Sequence, residues 1–140
     1  MKNIGNGNIN IIESEYRFEE AGEDGIRRLL AAGNSCTAVI CAYDNIAFGA
    51  IKELKKAGLC VPDDVSVIGM DNINFGEFAD TSLTTIDSNP EKVCAIAWNL
   101  LTEKIKNPYL SGKKDIINAK LIIRESIARC NTIISETAPI

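Results

Sequence analysis

The amino-acid sequence predicts an α/β fold in which a mainly parallel sheet is flanked by helices. Two apolar runs of strand length, Thr37–Ala42 and Val65–Gly69, are separated by a stretch with helical periodicity. Continuous apolar runs of this kind are typical of strands that are buried on both faces. The order strand, helix, strand requires right-handed crossovers, which place helices over both faces of the sheet.

Length, composition and charge fit one soluble domain with its own core, because the chain has 140 residues of which 46% are hydrophobic. The net charge is −4 and no run of Lys or Arg occurs, so we expect no direct contact with nucleic acid. No apolar run is long enough to span a membrane, and the N-terminus lacks the apolar core of a signal peptide. We therefore expect a cytoplasmic location and no membrane contact.

Histidine is absent, which removes the commonest general base and the commonest metal ligand. The five cysteines form no CxxC pair, and we interpret them as small buried hydrophobes in a reducing compartment. We expect no enzyme activity, no cofactor and no metal ion.

A short strand and a helix open the predicted fold. Ile9–Ile12 is predicted to be a strand, and residues 19–33 have helical spacing, with Gly33 suited to close the helix. Gly22 and Gly25 each weaken this helix by up to about 1 kcal/mol relative to alanine. The apolar face of the helix comprises Ala21, Ile26, Leu29 and Leu30.

The second helix follows the first core strand and ends at Gly58. Asp44 stands at the position of a helix N-cap, where its carboxylate can accept a hydrogen bond from the first turn. The apolar face of this helix comprises Ala47, Ala50, Ile51, Leu54 and Ala57.

A third helix and a last strand complete the order. "LTTI" at residues 83–86 is extended, and Ser88 with Glu91 forms a capping-box pattern ahead of a helix that has Pro90 in its first turn. The apolar stripe of this helix comprises Val93, Ile96, Ala97, Leu100, Leu101 and Ile105. Ile116–Ile123 is predicted to be the last strand.

Polar residues follow both core strands where each strand ends. Tyr43 and Asp44 follow the first, and Asp71 and Asn72 follow the second. Ligands of parallel sheets bind beyond these carboxyl ends, and an aromatic ring beside carboxylates and an amide suits a polyhydroxylated ligand. The alternatives are a purely capping Asp44 and plain turn chemistry at Asp71 and Asn72. A receiver-type phosphoacceptor role for Asp71 would need an acidic pair for Mg²⁺, and the earlier strands supply only Asp44.

The block "TAVICAYDNIAFGAIKELKKAGLCVPDDVSVIGMDNINFGEFADTSLTTI" resembles the effector-binding domain of the LacI/GalR family of bacterial transcriptional repressors. The family pattern G-x-x-V-P-x-D-(V/I)-S-(V/I)-(V/I)-G-(F/Y)-D corresponds to Gly58 through Asp71, and "LIIRES" at residues 121–126 matches a later motif. The resemblance runs from about Phe18 to Ser126 and implies part of a periplasmic binding protein-like type I fold, namely an incomplete C-terminal subdomain.

The resemblance also implies roles for individual residues. The position of Asp71 commonly contacts the effector, and a residue near Phe18 often lines the same cleft. Tyr43 departs from the family's Asn, so the usual contacts cannot be transferred to it. Phe48 matches a position that commonly packs across the family's homodimer interface, and the alternative is that Phe48 belongs to the core.

The expected function is that of an effector-sensing part of a LacI-type repressor without its helix-turn-helix, with a sugar or nucleobase-like small molecule and a second copy of the chain as partners. The alternative is a fragment of a sugar-binding protein of a transport system. We expect residues 1–15 to be a partly loose segment, 16–128 to be the domain, and 129–140 to be a tail. Because the chain matches only part of the family layout, we expect the helix after Pro90 to expose its apolar stripe.

Overall fold

The fold is known from a computed structural model, which describes residues 9–33, 36–77 and 79–129. Within these ranges four strands form one sheet in the order β1-β2-β3-β4. The strands are β1 (Ala38–Ile40), β2 (Ser66–Met70), β3 (Thr84–Asp87) and β4 (Lys120–Ile122). The first three are parallel, and β4 pairs antiparallel with β3. The predicted α/β class and mainly parallel sheet are confirmed.

The described chain has three α-helices: α1 (Phe18–Ala31) precedes β1, α2 (Asp44–Lys56) connects β1 to β2, and α3 (Pro90–Lys106) connects β3 to β4. A short 3₁₀ turn, Asn74–Glu77, lies between β2 and β3. Gly33 and Gly58 have φ values of 68° and 79° just after α1 and α2, as the sequence predicts for glycines that close a helix.

Helices α1 and α2 lie side by side and run in the same direction. Near their starts, Asn45 Nδ2 donates a hydrogen bond of 2.7 Å to Glu19 Oε1. Further along, Arg27 Nε lies 3.5 Å from Glu53 Oε1. The starts of the two helices therefore meet at the same end of the domain.

Two glycines allow α1 and α2 to approach closely. A Cβ on Gly22 would overlap the carbonyl oxygen of Ile46, and a Cβ on Gly49 would overlap the backbone of Glu19. Gly22 weakens its own helix, as the sequence predicts, but it provides the space that the neighbouring helix needs.

The core lies between the sheet and this helix pair. Its buried apolar residues are Ile26, Leu29, Cys41, Ala47, Ala50, Ile51, Leu54, Val65, Val67 and Leu83. Helix α2 packs against β2, and α1 packs against α2. The opposite face of the sheet is open in the described ranges, and Ile40 in β1 is 78% exposed. The prediction that Thr37–Ala42 is buried on both faces is therefore wrong, because no described helix covers the outer face of β1.

Helix α3 has no buried residue, and most of its apolar stripe is exposed as expected, whereas Ile96 and Leu100 are half-buried. The predicted capping box is wrong. Asn89 is the N-cap, at a φ of 54°, and its Oδ1 accepts a hydrogen bond of 3.2 Å from the Lys92 N–H. The cap falls on Asn89 because it is the residue directly before Pro90 at the start of the helix.

The segment 124–128 inserts between the first halves of β2 and β3. Ser126, which is buried, donates its hydroxyl to Val67 O at 2.6 Å and accepts from the Thr84 N–H at 2.8 Å. Its backbone N–H donates to Ser82 O. The sheet is continuous here only because this late segment fills the gap.

Two predictions near the termini differ from the structure. Ile9–Ile12 forms no strand, because it has no ladder partner. The adjoining residues Glu13 and Ser14 are instead bonded to side chains of α1. The last strand covers only Lys120–Ile122 of the predicted Ile116–Ile123. The predicted tail lies outside the described residues except for Arg129.

Candidate functional site

The carboxyl ends of β1, β2 and β3 meet at one edge of the sheet, which we call the rim. It comprises Tyr43, Asp71, Asn72 and Asp87, and Asp44 lies directly below them. The Asp71 N–H donates to Ile86 O at 3.0 Å, which fixes the end of β2 beside the end of β3. The sequence therefore predicts correctly that the two polar pairs lie on the same edge.

Asp44 lies beneath the rim and is 1% exposed. Its Oδ1 accepts a hydrogen bond of 2.6 Å from the Thr85 hydroxyl, and its Oδ2 accepts one of 2.9 Å from the Ile73 N–H. A Cβ on Gly69 would collide with this carboxylate, so the glycine of β2 makes room for it.

The prediction that Asp44 is an N-cap is wrong. Tyr43 is the N-cap, and Asp44 is the first residue of α2. The side chain of Asp44 turns toward β2 and β3, because the Thr85 hydroxyl and the Ile73 N–H there supply the hydrogen bonds that a buried polar group needs. A ligand at the rim would meet Asp44 only through the groups that cover it.

The Asp71 carboxylate has no hydrogen-bond partner in the described part of the chain. Its residue is half-buried, and its backbone has a φ of 113°, a conformation that L residues rarely adopt. Burial, and secondarily the negative charge of Asp44, raise the pKa of Asp71 above its ordinary value. The site therefore holds a strained and partly desolvated acceptor that lacks a donor.

Asn72 is more constrained than the sequence suggests. Its Oδ1 accepts a hydrogen bond of 2.8 Å from Arg124 Nη2, and its Nδ2 donates one of 3.3 Å to Asp87 Oδ2. Its backbone N–H donates to Thr85 Oγ1 at 3.2 Å. Because both ends of the amide are occupied within the chain, Asn72 braces the rim, and the prediction that it binds ligand remains untested.

Tyr43 and Phe18 present aromatic rings near the rim. Tyr43 precedes α2 directly and is 53% exposed, and Phe18 begins α1 and is 59% exposed. The starts of α1 and α2 are joined through Asn45 and Glu19, which places both rings at the end of the domain that carries Asp71. Both side chains have free surface for a ligand.

Phe48 packs partly against the core, and its ring lies 3.8 Å from the place where a Cβ on Gly76 would be. It is only half-buried, so part of the ring faces outward. This position fits the core alternative and leaves the predicted dimer contact untested.

Sequence reasoning missed the groups that hold the rim together. Thr85, Asp87 and Arg124 come from β3 and from the segment after β4, far along the chain from Asp44 and Asn72. The spacing of residues within one motif does not indicate these hydrogen bonds, because they depend on which strands are neighbours in the sheet. The hint in the sequence is that Arg124 and Ser126 lie in the matched "LIIRES" motif.

Other features of the described chain lie away from the rim. Residues 10–16 and α1 border an open groove, which shares no residue with the rim. No group of three or more potential metal ligands occurs among the described residues. Within the same ranges, no helix is both long and apolar enough to cross a bilayer. Cys41 is buried as predicted, whereas Cys60 and Cys94 are exposed because they lie in a loop and on the uncovered helix α3.

Comparisons with known proteins agree on the family. Residues 4–127 match the periplasmic binding protein-like domain. The chain is 36% identical over 121 residues to the probable HTH-type transcriptional repressor ExuR of Bacillus subtilis, which covers 86% of this chain and 36% of that protein. It is 34% identical to the ribose operon repressor of Haemophilus influenzae, over 84% of this chain and 35% of the relative.

Solved structures are similar as well. A LacI family transcriptional regulator from Enterococcus faecium with bound ribose has a TM-score of 0.71 and 29% identity, over 79% of this chain and 41% of that one. The chain thus spans a little over a third of the length of the curated relatives it matches. It belongs to the periplasmic binding protein-like domain family, in the form found in LacI-type transcriptional regulators.

Proposed function

We propose that this chain forms one side of the effector-binding cleft of a LacI-type transcriptional repressor, and that a sugar or related polyhydroxylated molecule binds at the rim through Asp71. The observation that carries the proposal is the Asp71 carboxylate, which is half-buried and lacks a hydrogen-bond donor in the described chain. A half-buried acceptor whose hydrogen-bonding capacity is not used within the described chain is available to a ligand that supplies a donor.

The chemistry of the rim fits such a ligand. Sugar hydroxyls donate to carboxylates, and the exposed ring of Tyr43 can stack on the apolar C–H face of a sugar. A relative is named a ribose operon repressor, and a similar structure holds ribose. These names support a sugar as the class of effector and leave its identity open.

The relatives also favour a repressor over the transport alternative, because those named above are transcriptional repressors. A repressor acts in the cytoplasm, and we place the chain there on that basis. We retain a homodimer as part of the proposal, with the outward part of Phe48 as the contact to test.

Titration of the ¹⁵N-labelled chain with ribose, cellobiose and nucleosides at millimolar concentrations tests the proposal by NMR. We expect at least one ligand to shift the amide signals of Asp71 and Ile73, and Asp71→Asn to abolish the shifts. Asp63→Asn is the matched control, because Asp63 is an exposed acid whose side chain has no hydrogen bond to any described residue. If every ligand leaves the rim signals unchanged, the proposal fails.

The strength of binding gives a second test. The chain alone supplies one side of a cleft, so we expect weak binding, and micromolar affinity would contradict a one-sided site. In a longer protein that carries this segment, Asp71→Asn should weaken binding by about 1–3 kcal/mol, the scale of a charge-assisted hydrogen bond. Isothermal calorimetry measures this difference.

A further inference from the structure

Helix α3 makes few contacts with the rest of the domain, and its last turns bond to the loop that follows it, through Lys104 to Leu110 O and Glu103 to Lys113. None of its residues is buried, and no other described element packs extensively against it. Its direction is therefore set where the chain leaves β3, at residues 87–89. A group that fixes the conformation of this turn therefore also fixes the direction of α3.

One carboxylate organises that turn. Asp87 Oδ1 accepts a hydrogen bond of 2.7 Å from the Asn89 N–H, and Asn89 in turn caps α3. Asn89 has a φ of 54°, which needs local support because an L residue in this region is strained. Asp87 supplies that support.

The other oxygen of the same carboxylate faces the rim. Asp87 Oδ2 accepts from Asn72 Nδ2 at 3.3 Å, and Arg124 fixes the opposite end of the Asn72 amide. Asn72 follows Asp71 directly in the chain. A continuous path of hydrogen bonds thus runs from the residue beside Asp71 to the cap of α3.

We propose that Asn72 and Asp87 form a positioning pair that couples the rim at Asp71 to the direction of α3. In this role Asn72 acts through Asp87 and not by touching ligand. The inference rests on the proposed function for its link to an effector, but the pair itself can be tested without any ligand.

Two isosteric substitutions remove the hydrogen bond between Asn72 and Asp87 while the bond from the Asn89 N–H to residue 87 is kept. Asp87→Asn keeps an oxygen for the Asn89 N–H but points an NH₂ group at the NH₂ group of Asn72, which breaks the link. Asn72→Asp points a carboxylate at Asp87, which also breaks it, while Arg124 keeps an acceptor. The double variant Asn72→Asp/Asp87→Asn restores the hydrogen bond with donor and acceptor exchanged.

Residual dipolar couplings of the full chain report the direction of α3 relative to the sheet, and amide exchange at Asn89 and Lys92 reports the turn. We expect each single variant to change the α3 couplings and to speed this exchange about twofold to tenfold, as loss of one hydrogen bond should. We expect the double variant to return both to wild-type values. Ser88→Ala is the matched control, because Ser88 lies in the same turn and its side chain has no hydrogen bond within the described ranges.

Single variants that leave α3 unchanged would overturn the proposal, and so would a double variant that fails to restore it. The couplings of β1, β2 and β3 show in the same spectra whether the sheet is intact. The sugar titration of the wild-type chain is independent of these variants, so failure of the proposed function and failure of the pair are distinguished.

Discussion

The Thr85 hydroxyl lies 2.6 Å from Asp44 Oδ1, and this hydrogen bond joins the end of β3 to the start of α2 beneath the rim. Both residues are almost completely buried. The side chain of Asp44 accepts this bond at one oxygen and a second bond, from the Ile73 N–H, at the other. The rim lies above a buried side chain whose two oxygens are both bonded within the domain.

Thr85→Val should therefore destabilise the domain. The variant keeps the shape of the side chain but leaves Asp44 Oδ1 without a donor, at a cost of about 1–3 kcal/mol. Urea unfolding measures the change. Thr102→Val is the control, because the Thr102 hydroxyl donates only to carbonyls of the exposed helix α3, and its loss should cost less than about 0.5 kcal/mol. Equal effects of the two variants would show that Asp44 does not need Thr85.

The two glycines of α1 should respond in opposite ways to alanine. Gly22→Ala places a methyl group into the backbone of α2 and should destabilise by about 1–3 kcal/mol or more. Gly25→Ala meets only Ile12 Cγ2 at 3.8 Å and should stabilise by up to about 1 kcal/mol through helix propensity. Thermal unfolding monitored by circular dichroism compares them. A stable Gly22→Ala variant would contradict the close parallel contact of α1 and α2.

Because of Asp71, the free energy of unfolding should fall as the pH rises through the acid range. Its pKa is raised in the folded chain above the ordinary value of 3.8, so the folded state holds the proton after the unfolded state has released it. Unfolding then releases a proton, and the free energy of unfolding falls with rising pH until the folded group has also ionised. Asp71→Asn removes this fall and should be more stable than wild type at neutral pH.

Urea unfolding of wild type and Asp71→Asn at several pH values, from below 3.8 to neutral, measures the difference. The advantage of the variant should grow across the acid range and then stay constant. Asp63→Asn, which replaces an exposed acid, should show no such growth. An Asp71→Asn variant less stable than wild type at neutral pH would mean that the carboxylate has a stabilising partner.

The cysteines should differ in their reaction with iodoacetamide. Burial, together with the negative charge of Asp44, raises the pKa of Cys41 to about 12, so its thiolate is scarce at neutral pH. Cys60 and Cys94 are exposed and should react in the folded chain, while Cys41 should react only after unfolding. Peptide mapping by mass spectrometry follows each site. Alkylation of Cys41 as fast as Cys60 in the folded chain would show that the start of α2 opens readily.

Patterns along the chain predict the parts of the fold that depend on neighbouring residues. The apolar periodicity of α2 correctly identifies Ala47, Ala50, Ile51 and Leu54 as buried. The strand end at Asp71 is also predictable, because an apolar run meets polar residues there. A local pattern does not show which face of a strand is covered by a helix. The exposure of Ile40 on the outer face of β1 was therefore not predictable from the sequence.

The chemistry of the candidate site is less accessible from sequence. Asp44 looks like a helix cap, because the residue type and its position before a helix fit that role. Its actual partners, Thr85 and Ile73, are 41 and 29 residues away. From the sequence, Asn72 similarly resembles a turn residue or a ligand contact. In the structure its side-chain amide is hydrogen-bonded to Arg124 and Asp87. Such roles are decided by strand order, which no local pattern contains.

The insertion of Ser126 between β2 and β3 has a consequence for the order of folding. Its hydroxyl bonds to Val67, 59 residues earlier in the chain, and the neighbouring Ala128 bonds to Ser66 across 62 residues. A ribosome must therefore release nearly the whole described segment before the central strands can acquire all their partners. Until then Val67 and Thr84 present unpaired backbone groups, and closing so long a loop is slow. The period between synthesis and this closure is when the nascent chain most needs protection from pairing with other strands.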